Sequence, residues 1–194
     1  PMTSFVASVL AAVLVAFSAP PSLPPRDLFE EFKTICLDWD GDPVAAEEVA
    51  LELGYEPAQD LIPDDLFQGY SLRVWSQQRQ DVEWRVLIQV DRRMWRGDEN
   101  TYHNRCFVSA HQGDRRDARA AVQAHLGIRP FRQRDADVFT WITDPDDERR
   151  PVGRSAFENR GPVTLTERGM RMVLVRAHRG QVMLTYMAPS RADP

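Results

Sequence analysis

A chain of 194 residues, 43% hydrophobic and 27% charged, has the composition of a globular domain with enough apolar material for one core. Its net charge of -5 argues against nucleic acid as the main partner, because phosphate binding needs a basic field. Lys33 is the only lysine, and the pairs Arg92-Arg93, Arg115-Arg116 and Arg149-Arg150 have acidic neighbours, so they read as solvated surface.

In chain order the first feature is an apolar run, Phe5 to Phe17, followed by Ser18-Ala19-Pro20-Pro21. The run is too short for an anchored membrane helix and suits the h-region of a secretory signal. Ala16 and Ser18 place the cleavage after Ser18, with Ala19 as the alternative, although the basic n-region is missing. The division expected is therefore a signal peptide over 1–18, a proline-rich spacer over 19–26, one domain over 27–188 and a fraying tail over 189–194. Nothing after Ser22 is apolar for long enough to hold the mature chain in a membrane. No cysteine at the cleavage site offers a lipid anchor.

Asp27-Leu28-Phe29-Glu30 resembles a capping box and opens a helix whose stripe is Leu28, Phe29, Phe32, Ile35 and Cys36. Asp42-Pro43 opens a second helix with Ala46, Val49, Ala50 and Leu53 inward and Gly54 as its stop. Strands follow: Tyr70 to Val74, then Val82 to Val90 with one apolar and one wet face, then Tyr102 to Ala110. A third helix runs from Gly113-Asp114 to Gly127. A short strand at Val138 to Thr143 and a charged loop over Asp144 to Gly153 come next. Val163 to Leu165 and a hairpin of Met170 to Ala177 with Val182 to Met187 close the chain. That hairpin is apolar on both faces, which puts it mid-sheet or beneath a helix. The order predicts an α+β fold: an antiparallel sheet of about six strands, with two N-terminal helices and one mid-chain helix packed on it.

Cys36 lies on the apolar stripe of the first helix, and Cys106 shares strand parity with Tyr102 and Val108. Both thiols face one interior, so in an exported chain they predict a structural disulfide pinning the first helix to the third strand. The competing use of Cys106 as a nucleophile or metal ligand with His103 and His111 fails on a strand, where positions three apart face opposite ways. Asp38, Asp40 and Asp42 suggest a calcium loop, but Pro43 and Val49 occupy the places of its glycine and glutamate. His125 suits the dipole of its helix C-terminus, and His178 sits at a hairpin tip. No phosphate loop, nucleophile elbow or H-E-x-x-H motif is present, so no catalytic residue, metal or cofactor is assigned. Trp84 is core by parity. Trp75 and Trp95 lie on the other parity of their segments and form a candidate ligand surface, unless helices cover that face as well.

Phe32-Lys33-Thr34-Ile35-Cys36, the strand Arg105-Cys106-Phe107-Val108 and the glycine-turn hairpin resemble small exported proteins of proteobacteria. The resemblance implies a periplasmic location and no particular activity. The leading expectation is a non-catalytic envelope or protein-binding module whose partner is another envelope protein. A small-ligand protein with an aromatic pocket comes second. A hydrolase built on His103, His111 and acidic residues comes third.

Overall fold

The computed structural model describes residues 27–58, 71–91, 103–111, 113–143, 148–160 and 168–189. The leader, the spacer, Trp95, the segment Val163 to Leu165 and the tail beyond Pro189 lie outside these residues. Helix α1 (Leu28–Phe32) starts where the Asp27 carboxylate accepts the Phe29 N–H at 2.9 Å. It continues into one wide π turn, Lys33–Leu37, closed by Asp38 N–H donating to the Lys33 carbonyl. Helix α2 (Pro43–Glu52) is capped by Asp42, which accepts from Val44 and Ala45, with proline at the first position as its fixed φ favours. Helix α3 (Arg115–Leu126) is capped by Asp114 and ends at Gly127 in the left-handed region.

The strands are β1 (Glu56–Pro57), β2 (Ser71–Arg79), β3 (Val82–Asp91), β4 (His103–His111), β5 (Phe131–Gln133), β6 (Ala136–Thr143), β7 (Arg149–Pro151), β8 (Met170–His178) and β9 (Gln181–Pro189), with helix α4 (Arg154–Arg160) between β7 and β8. They form one antiparallel sheet in the order β1-β2-β3-β4-β9-β8-β6-β5, and β7 pairs with β6. The α+β, antiparallel expectation is met; the element count differs. Nine strands among the described residues replace about six because β1, β5 and β7 are two or three residues long, too short for alternation to register. The fourth helix, α4, lies between the loop expected to end at Gly153 and the strand expected at Val163, a stretch for which the sequence pattern indicates no element, because it packs chiefly through Ala156 and Phe157 without a stripe.

The sheet is built from two like halves. A helical segment followed by the meander β2-β3-β4 meets a helix followed by the meander β6-β8-β9. The last strands of the halves, β4 and β9, pair antiparallel at the centre, Phe107 opposite Thr185. Helices α1, α2 and α3 cover one face, where Trp84, Val86, Val108, Leu184, Val173 and Phe139 meet Phe32 and Ile35 in the main core. Helix α4 covers the second half of the opposite face over Val138, Met172, Leu174 and Met187. The closing hairpin is therefore apolar on both sides because it has a layer on each.

The Cys36–Cys106 disulfide forms as expected, with Cα atoms 5.6 Å apart and both residues fully buried. It fastens the π turn to the central strand β4. A second tie joins the same layers: Arg79 on β2 donates to Glu31 on α1 at 2.9 Å, with side-chain exposures of 7% and 0%. Among the described residues no helix is long and apolar enough to cross a membrane.

Candidate functional site

The chain leaves the π turn through Asp38 to Gly41, and Asp40 and Gly41 both take positive φ. Glycine is required at 41 for a further reason: a Cβ there would lie 3.1 Å from the Tyr186 ring on β9. This close approach seats the turn on the sheet and brings the Asp40 carboxylate over the side chains of β8 and β9. Arg171 grips it with two bonds of 2.7 Å, and the Tyr186 hydroxyl donates to it at 2.5 Å. Arg171 also donates to the Thr143 hydroxyl and the Gly169 carbonyl. The charge-assisted fork fixes the guanidinium plane.

These residues floor an open cleft of about 380 Å³, walled by Leu37, Trp141, His125 and Arg149. Trp141 stacks on Tyr186 with ring centres 6.1 Å apart, and the Arg149 guanidinium lies 5.9 Å from the Trp141 ring. His125 packs on Phe29. Its burial, aided by the positive charges of Arg149 and Lys33, pushes its pKa below the ordinary imidazole value.

Burial, reinforced by the Asp40 negative charge, holds the Tyr186 phenol well above its ordinary pKa. The folded chain thus keeps this proton at a pH where the unfolded chain releases it, near 10. Its contribution to stability is complete below about pH 10 and is lost as pH rises through the folded-state pKa. Urea midpoints measured upward from pH 8 should fall on the alkaline side for the natural chain. Tyr186→Phe should show a shallower fall; equal slopes would place the titration elsewhere.

The three aspartates that suggest a calcium loop go separate ways. Asp38 pairs with Lys33 at 2.8 Å, Asp40 is held by Arg171 and Tyr186, and Asp42 caps α2. Among the described residues no group of three or more His, Cys, Asp or Glu converges for a metal ion. Of the histidines read for hydrolysis, His111 lies 3.9 Å from Glu83, beyond hydrogen-bond length, and the His103 side chain is outside the description. Trp75, taken as a candidate ligand surface, is only 3% exposed. It lies on the helix-covered face, opposite Val86, so its parity points into the main core.

Sequence reasoning weighed Asp40 only as part of a calcium loop and gave no role to Tyr186, Arg171 or Trp39. Residues 131 and 146 positions apart meet at Asp40, and only the strand order brings them together. Trp39 follows from the same turn. It is 48% exposed, yet its indole N–H donates to the Thr34 carbonyl at 3.1 Å, which holds the ring in one orientation. Val44 and Leu51, on the adjoining α2, are 63% and 46% exposed. These three are the large exposed hydrophobics of the described residues. The segment 38–52 that carries them holds six carboxylates and no lysine or arginine. Comparison with known proteins gives no match to a family model, a curated protein or a solved structure.

Proposed function

We propose that this chain is an exported, non-catalytic protein-binding module whose contact surface is the Asp38–Gly41 turn and the outer side of α2. The observation that carries this reading is the clustering of Trp39, Val44 and Leu51 in one acidic segment. A tryptophan fixed by its own hydrogen bond loses little freedom on binding and makes a good interface anchor. The rim of Asp38, Asp42, Glu48 and Glu52 is exposed and suits a partner with apolar side chains flanked by basic ones. The Asp40 carboxylate and Tyr186 hydroxyl are already bonded to each other and to Arg171, so the cleft behind the turn braces this surface. Export is supported by the leader pattern and by a buried disulfide of the kind that oxidising compartments favour.

A photo-crosslinking residue placed at 39 or 44 in the full chain tests the reading in envelope preparations. The expected result is a discrete adduct at both positions, absent at the exposed control position Arg116 and competed away by excess unlabelled protein. Its mass tells a different protein from a second copy of this chain. Adducts equal at 39, 44 and 116, or none, would remove the proposal.

A further inference from the structure

On the sheet face opposite the disulfide lies a second pocket, of about 200 Å³, bounded by β4, β8, β9 and α4. Thr185 sits at the middle of its floor, between Phe107 on β4 and Leu174 on β8. It is 2% exposed, and its hydroxyl makes no hydrogen bond among the described residues. Buried hydroxyls nearly always find a partner, so one without any, lining a pocket, marks a place where a ligand atom completes the structure.

The neighbours of Thr185 indicate the ligand. Arg176 pairs with Met183 on one side of it, and Arg105 with Met187 on the other. Both arginines line the pocket, and the Arg176 Nε is buried without a hydrogen-bond partner among the described residues. No carboxylate side chain lines the pocket among these residues. Apart from Gln133 on β5, the remaining wall is apolar, with Met172, Leu174 and Met187 from the sheet and Phe157 from α4. Donors and positive charge on one part, with hydrocarbon on the rest, match an amphiphilic anion. A planar carboxylate fits the edge of a guanidinium with a hydroxyl beside it. A dianionic phosphate would have to give up more hydration than a monoanion against the apolar part of the wall. The volume is below the ~300–1,000 Å³ of sites for drug-sized ligands, which limits the body to one ring or a short chain.

We propose that this pocket binds a small carboxylate with an apolar body, the carboxylate over Thr185 and Arg176 and the body against Leu174, Met172, Met187 and Phe157. The site lies across the sheet from α2 and does not depend on the contact surface proposed above.

The full chain is titrated at neutral pH with 3-phenylpropanoate and hexanoate, following Tm and the backbone amide NMR signals. 3-Phenylpropanamide, 3-phenylpropylamine and inorganic phosphate serve as comparisons. The acids should raise Tm and shift the amides of Leu174, Arg176 and Thr185, binding at least about tenfold more tightly than the amide, as a charge-assisted bond requires. Thr185→Val should leave the unliganded Tm unchanged or higher, because it removes a hydroxyl that has no partner, while weakening acid binding about tenfold. Arg176→Met should weaken acid binding by at least as much. Amide or amine binding equal to the acid, displacement by phosphate, no shift at these amides, or a lower unliganded Tm for Thr185→Val would each overturn the assignment.

Discussion

Replacing Cys36 and Cys106 together by alanine should lower the Tm by on the order of 10 °C under oxidising conditions. The bond closes a loop with a sequence separation of 70, for which chain entropy gives about 4 kcal/mol. In a domain of this size each kcal/mol moves Tm by roughly 2–4 °C. Both residues are fully buried, and the bond is the covalent link between the helical layer and the centre of the sheet. Reductant should bring the natural chain down toward the Tm of the double variant and leave the variant where it is. A double variant that melts with the natural oxidised chain would show that packing of Phe32 and Ile35 holds the layers together without the bond.

The second large effect is expected at Arg79. Its guanidinium donates to Glu31 and faces the rings of Tyr55 and Trp84 at 5.2 and 5.5 Å. Arg79→Met takes the Arg79 guanidinium away from the buried Glu31 carboxylate, a change that costs about 3–5 kcal/mol when one member of a buried pair is removed. Adding Glu31→Met should recover much of that loss, since an apolar pair of similar volume avoids burying charge. Chemical denaturation of the two single variants and the double variant gives the coupling directly. Single variants within about 1 kcal/mol of the natural chain would mean that the Arg79–Glu31 bond is not what keeps the Glu31 carboxylate in the interior.

The pattern of what was legible in the sequence has physical causes. Asp27, Asp42, Asp114, Pro43 and Gly127 act on their own neighbours, so the helices they begin or end could be read locally. Strand β3 could be read because its apolar and wet residues alternate from Val82 to Val90, Leu87 being the one exception. The disulfide followed from two parities that pointed to one interior. Trp75 shows the limit of parity: alternation separates the two faces of a strand but does not say which layer covers each. Its face is the one that the helices cover. The Asp40 cluster was hidden because its members come from the first turn of the domain and from strands near its end. Thr185 was hidden as well, since a threonine in an apolar strand looks like any β-branched residue until its neighbours are known.

The pairing of β4 with β9 sets the order in which this sheet can be completed. The middle of the sheet joins residues 103–111 to 181–189, the last strand described. While the polypeptide emerges from its N-terminal end, the meander β2-β3-β4 exposes the edge of β4, with Cys106, Val108 and Ala110 on the face that will become core. That edge has no partner until the final hairpin arrives. Closure at the centre rather than at the rim is a long-range step, which slows folding and lengthens the time for which an apolar strand is open to other chains. A nascent chain of this design therefore gains from a chaperone that holds it until β9 is through.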